Sequence, residues 1–338
     1  MEKNSKLNAD FFALLDKYQQ EGSIPPKYAE ILRHFYAGYQ RAISPYGMHI
    51  EDYQEIFNNL LRLIREQCLE PYLFQPYHVR IRKPFDYYQF GIDLVKPLVN
   101  LPKSTLSGQA QLDAIVASLG RGENAIFLAN HQAEADPQGI SILLEDRYPD
   151  LAESMIFVAG ERVVTDPLAV PFSMGRNLLC IYSKRYIDFP PEQKMKKQIH
   201  NKRTMELMSQ LLSEGGKAIY VAPSGGRDRP NANGVFEVAP FDPQSIEMLY
   251  LMSLRAGHPT HFYSLALKTY ELFPPPETIQ VELGEVRKTK RAGIHLSFGN
   301  KVDMEHFPGS DLTDKHARRA ARAEYIHNLV HQDYAKFP

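Results

Sequence analysis

From residue 8 to about residue 75, apolar side chains recur at the three- and four-residue spacing of helices that bury one face. Phe11, Leu14, Leu15 and Tyr18 make the first such face, and the run Gly22-Ser23-Ile24-Pro25-Pro26 stops it. Tyr28, Ile31, Leu32, Phe35 and Tyr39 make a second face, and Ile56, Leu60, Leu63 and Ile64 a third. Short connections between amphipathic helices predict an antiparallel bundle. Pro71, Pro76 and Pro84 then punctuate the chain, which predicts a helical bundle over 1–78 and a second domain over 79–338.

Beyond about residue 85 the period changes. Short, wholly apolar runs predict strands at 125–129, 155–159, 178–182, 218–222, 261–266, 279–283 and 294–298. Helical patterns separate several of them, notably at 137–147 and 192–213, and an Arg-, Ala- and His-rich amphipathic helix closes the chain. Buried strands alternating with helices predict an α/β fold: a mixed, mainly parallel sheet flanked by helices. In such sheets ligands sit beyond the carboxyl ends of the strands, so the residues just after each apolar run are where chemistry is expected.

Composition narrows the class of function. Of 338 residues 43% are hydrophobic, ample for a large core, and a net charge of −1 gives no reason to expect nucleic acid. Two cysteines, Cys68 and Cys180, cannot form a disulfide framework; both sit among apolar neighbours and read as buried free thiols of a reducing compartment. No run of about 18 apolar residues occurs, so no segment is expected to span a membrane, and any membrane contact would be peripheral. The opening residues lack a signal-peptide core and are too acidic for a transit peptide.

The first apolar run leads into Asn130-His131-Gln132-Ala133-Glu134-Ala135-Asp136-Pro137. On one regular helix, positions five apart differ by about 140°, so His131 and Asp136 can meet only if the chain between them turns. Pro137 provides for that: it disfavours helical geometry at Asp136 and suits the first helical position itself, which makes Asp136 the expected N-cap. A neutral imidazole in that loop can take a proton from a hydroxyl, with the carboxylate fixing its tautomer. After the 218–222 run comes Ser224-Gly225-Gly226-Arg227-Asp228-Arg229, whose glycines admit a ligand close to the backbone and whose arginines offer planar forks to phosphate or carboxylate. After the 178–182 run come Lys184 and Arg185, further positive charge at a strand end, and Val238-Ala239-Pro240-Phe241-Asp242-Pro243 forms an apolar turn.

Taken in this order, the four blocks resemble the motif series of the glycerolipid acyltransferase superfamily. The closer resemblance is to its soluble branch, the glycerol-3-phosphate acyltransferases of plant chloroplasts and some bacteria. It extends over nearly the whole chain, the leading helices included, and Ser-Gly-Gly-Arg-Asp-Arg is its most specific part. The resemblance implies that His131 is the general base acting on a glycerol hydroxyl and Asp136 its orienting partner. It implies that Lys184, Arg227 and Arg229 hold the phosphate of glycerol-3-phosphate. Arg185 stands where plant relatives commonly carry His, and serves the phosphate by the same reading. The acyl donor implied is acyl-carrier protein or acyl-CoA, with no cofactor, in a bacterial cytoplasm or a plastid stroma. Basic residues that would meet an acidic carrier are Lys194, Lys196, Lys197, Lys202 and Arg203, or Arg287, Lys288, Lys290 and Arg291. Two other readings stay open: another acceptor such as lysophosphatidic acid, and a non-catalytic binder of a phosphorylated ligand in which His131 is dispensable.

Overall fold

The computed structural model describes residues 10–184, 187–231, 233–274 and 283–338. Arg185 and most of the strand predicted over 279–283 lie outside them. The chain begins with α1 (Phe11–Gln20), α2 (Pro26–Ile43) and α3 (Gln54–Leu69). The Asp10 carboxylate accepts the Phe12 N–H at the start of α1, and Pro26 opens α2, where its missing N–H is no loss. The apolar faces predicted from spacing meet through rings, with Phe11 stacked on Tyr36 at 4.2 Å and Phe57 edge-on to Tyr36 at 4.9 Å.

The remainder alternates strand and helix. In order come β1 (Tyr77–His78), α4 (Tyr87–Val95), β2 (Thr105–Ser107), α5 (Gln109–Gly120), β3 (Asn124–Ala129), α6 (Asp136–Leu144) and α7 (Pro149–Ser154). Then follow β4 (Ile156–Gly160), α8 (Val170–Ser173), β5 (Asn177–Ile181), α9 (Lys194–Glu214), β6 (Ala218–Val221), β7 (Arg229–Pro230) and β8 (Phe236–Glu237). Last are α10 (Pro243–Ser253), β9 (Thr260–Lys268), β10 (His295–Val302) and α11 (Lys315–Tyr334). Eight strands form one sheet in the order β1-β5-β4-β6-β3-β9-β10-β2, while β7 and β8 form a separate antiparallel ribbon. The five central strands, β5 to β9 in that order, run parallel; β1 and β10 run against their neighbours β5 and β9. The mixed, mainly parallel sheet therefore stands as expected. The edge strands β1 and β2 went unpredicted because two or three residues carry no periodicity.

Alternation along β3 shows why this strand is central. All six of its residues are buried. Ala125, Phe127 and Ala129 pack on one face with Phe157 and Phe298, and Ile126 and Leu128 on the other with Leu211, Leu212 and Ile326. A third apolar cluster joins α1 to α4 with Ile142 of α6, Leu168, Leu272 and Ile294. The leading helices are thus packed against the elements that carry the site.

Candidate active site

The register Ile126↔Ile219, Ile219↔Ile156 and Ile156↔Asn177 sets β3, β6, β4 and β5 side by side, so their carboxyl ends share one rim. His131 stands on that rim, two residues beyond Ala129. Its Nδ1 lies 2.7 Å from Asp136 Oδ2. The same carboxylate accepts the backbone N–H groups of Gln132 at 2.9 Å and Ala133 at 3.0 Å, and the Thr269 hydroxyl. Ringed by donors and 1% exposed, Asp136 acts as an acceptor. Nδ1 therefore carries the proton and Nε2 keeps its lone pair.

Asp136 differs from its expected role in one respect. It is the first residue of α6 rather than the cap before it, with Ala135 in the capping position. Its carboxylate turns back to the loop and organises residues 131–133 instead of the helix's first turn.

The loop is clamped from several sides. The Asp228 N–H donates to the His131 carbonyl at 2.6 Å, and the Tyr220 hydroxyl to the Asn130 carbonyl at 2.8 Å. Asn130 bridges Asp228 and Leu267, and Gln132 bridges Asp228, Tyr334 and Thr269. Asp228 is fully buried, and burial pushes its carboxyl up, against the N–H groups of Ala239, Asn130 and Gln132 that favour the ionised form. The segment carrying the two arginines is thereby bonded directly to the segment carrying the histidine.

The predicted phosphate ligands occupy three different settings. Arg227, 14% exposed, forks onto Glu285 with Nη1–Oε1 at 2.9 Å and Nη2–Oε2 at 2.7 Å. Arg229 is half-buried in β7. Lys184 is exposed and donates to Asp242 at 2.9 Å and Gln244 at 3.2 Å. The turn before Arg227 is open: Gly225 has φ +67°, and a Cβ on Gly225 or Gly226 would meet nothing within 4 Å.

A cavity of about 1190 Å³, mouth included, runs from His131 and Asp136 into the fold. Its deeper wall is apolar, with Ile31, Phe35, Leu60, Ile64, Leu94 and Phe172 among its lining residues. Neither thiol takes part, and burial pushes Cys68 up to about 11 and Cys180 up to about 12, which keeps both protonated near neutrality. Both are unpaired, Cys180 buried and Cys68 partly so.

A family model described as Acyltransferase matches residues 103–268. The chloroplastic glycerol-3-phosphate acyltransferase of Phaseolus vulgaris is 38% identical over 335 residues, 98% of this chain and 72% of the relative. That of Arabidopsis thaliana is 33% identical over the same shares, and one from Cucurbita moschata is 36% identical over 92% of this chain and 70% of its own. The chain belongs to the glycerol-3-phosphate acyltransferase family.

Within this family framework, several rim residues lay beyond the reach of sequence reading. Glu134 pairs with Arg287, Nη2–Oε2 at 2.8 Å and Nε–Oε2 at 2.9 Å, and Asp166 stands 3.5 Å from the same guanidinium. Burial alone would raise the Glu134 carboxyl, but Arg287 and then Arg227 hold it below the ordinary range. Glu285, Arg287 and Thr269 are brought in from over a hundred residues away and follow no motif.

The expected docking residues divide. Lys194, Lys196, Lys202 and Arg203 are exposed on or beside α9, as are Lys288 and Lys290. Lys197 is instead buried, donating to the Phe189 carbonyl at 2.6 Å, because the helix turns that position inward. Arg287 belongs to the buried network just described, and Arg291 lies over the Tyr46 ring at 4.2 Å. Among the described residues, no helix is long and apolar enough to cross a membrane.

Proposed function

We propose that this protein moves a fatty acyl group from a carrier thioester, acyl-carrier protein or acyl-CoA, to the sn-1 hydroxyl of glycerol-3-phosphate. The observation that carries this reading is one juxtaposition. An Asp136-oriented His131 stands between an apolar cavity and an arginine-bearing turn bonded to its own carbonyl. The acyl chain lies in the cavity, and the acceptor phosphate is held by Arg227, Arg229 and Lys184, with Arg185 as a further ligand. Phosphate bound at Arg227 takes over donors that Glu285 now holds.

With both substrates in place, Nε2 of His131 removes the hydroxyl proton as the glycerol oxygen bonds to the thioester carbon. The resulting oxyanion is stabilised by backbone N–H groups of the open glycine turn or of the start of α6. As the carbon–sulfur bond breaks, the imidazolium returns its proton to sulfur and the carrier leaves as a free thiol. The high thiol pKa values of Cys68 and Cys180 favour this direct transfer over an acyl-enzyme on cysteine. The reading places the reaction in a bacterial cytoplasm or a plastid stroma, with any membrane contact peripheral.

The test is thiol release from both donors, with and without glycerol-3-phosphate, in wild type and His131→Ala. Release that requires glycerol-3-phosphate and falls by about 10²–10⁴-fold in the variant is expected. Absence of release with every donor, alongside retained binding of a phosphorylated ligand, would favour the non-catalytic reading. Faster release with lysophosphatidic acid as acceptor would move the substrate assignment.

A further inference from the structure

One residue of the cavity wall is out of keeping with an acyl site. Arg176, 3% exposed, lines the cavity just before β5. Its Nη1 donates to the Ser141 hydroxyl at 2.5 Å, and its guanidinium carbon lies 4.6 Å from the centre of the Tyr88 ring. Its Nε and Nη2 are buried with no hydrogen-bond partner among the described residues. Gln138, 3% exposed, lines the same cavity, and its Oε1 is likewise unpartnered. Gln138 lies one turn before Ser141 on α6, the residue whose hydroxyl Arg176 holds.

Their depth follows from the fold. Arg176 precedes Asn177, which shares a row with Ile126, whereas His131 follows the other end of β3. Three strand residues, about 10 Å, separate that row from Ala129. Along α6, the hydroxyl that Arg176 holds comes five residues after Asp136, about 7.5 Å. By both measures the guanidinium stands well below the reacting centre, on the side to which an acyl chain entering at His131 would descend.

We propose that Arg176, with Gln138, forms a polar floor that stops the acyl chain and sets the longest chain this enzyme accepts. The inference rests on the reading of the cavity as the acyl site. Burial lowers the Arg176 pKa to about 10, which leaves it cationic at neutral pH. Each methylene buried against the apolar wall strengthens binding about fourfold. A methylene pressed onto the guanidinium does the reverse, because it seals off charged N–H donors that have no acceptor among the described residues. The chain-length profile should therefore end abruptly where the chain first reaches Arg176.

The experiment is competition between acyl donors of increasing chain length in one tube, read as the ratio of kcat/KM values, which does not depend on how much enzyme is folded. In Arg176→Met, a donor two methylenes longer than the wild-type optimum should gain about fifteenfold relative to that optimum. Should Arg176→Met fail to fold, Gln138→Leu tests the same floor and should shift the profile the same way by a smaller factor. Leu60→Ala, in the apolar wall, is the control for the cavity itself. A profile altered by Leu60→Ala but unmoved by both floor variants overturns the floor and keeps the acyl cavity. A profile unmoved by all three overturns both.

Discussion

The two ends of the central cavity hold buried charge in opposite ways. At the rim two guanidinium groups meet carboxylates: Arg227 forks onto Glu285, and Arg287 meets Glu134 at 2.8 Å and Asp166 at 3.5 Å. At the depth of Ser141, Arg176 bonds a hydroxyl and lies over a ring, with Glu145 acting on it as a nearby charge, and two of its nitrogens have no hydrogen-bond acceptor among the described residues. A network of guanidinium–carboxylate pairs has little freedom to rearrange, which suits it to holding a reacting group in one geometry. An under-partnered cation cannot position anything so firmly, but it repels hydrocarbon. The difference separates the part of the site that orients from the part that excludes.

The largest expected effect comes from the most heavily partnered rim group. In Asp136→Asn, one carboxylate oxygen becomes an NH2 group, while every neighbour it faces is a donor. The His131 tautomer is no longer imposed, and kcat should fall by about 10²–10⁴-fold. The check is steady-state turnover on protein whose circular dichroism matches wild type. Turnover within tenfold of wild type would mean that the rim holds the base without help from Asp136, and the contrast between the two ends would lose its orienting half.

Next is Glu134→Gln, which strips the nearest counter-charge from Arg287. A buried pair broken from one side costs about 3–5 kcal/mol; Glu134 keeps 24% of its side-chain surface, so about 3 kcal/mol is expected in urea unfolding at neutral pH. The sign of the pH dependence follows from the lowered Glu134 pKa. A depressed carboxyl stabilises the fold above its unfolded value, about 4.3, and that contribution is lost as pH falls through the folded-state value. The gap between wild type and Glu134→Gln should accordingly be full at pH 7 and close on acidification below about 4.3. A gap that stays constant would show that Glu134 stabilises through packing and not through charge.

The same contrast explains what was legible in the sequence. His131 and Asp136 share one loop, and Arg227 and Arg229 share one turn, so local spacing was enough to single them out as candidates. Pro137 correctly announced the turn into α6, but which way the Asp136 carboxylate faces depends on Thr269, over a hundred residues on. Glu134 and Arg287 are 153 positions apart, and Arg176 and Ser141 are 35 apart and meet only through tertiary packing. Nothing in their immediate neighbours marks them. The strands of the centre were legible because burial on both faces writes long apolar runs; β1 and β2 were not, because an edge pairing of two or three residues writes almost nothing.

The smallest expected effects compare two cations at the rim itself. Arg227 is inside the network and 14% exposed, whereas Lys184 is 68% exposed and tied to Asp242 and Gln244. If the partnered network is what orients the acceptor, Arg227→Ala should raise the KM for glycerol-3-phosphate by about 10–100-fold, the range of one desolvated charge-assisted hydrogen bond. Lys184→Ala should raise it by less than about fivefold, as an exposed ion pair contributes little and is screened by salt. Measuring both KM values at low and high ionic strength decides the matter. The Lys184 effect should fade with salt while the Arg227 effect persists. A Lys184 effect that equals the Arg227 effect and survives salt would put the phosphate outside the network, over Asp242, and Glu285 would then keep its hold on Arg227 throughout the reaction.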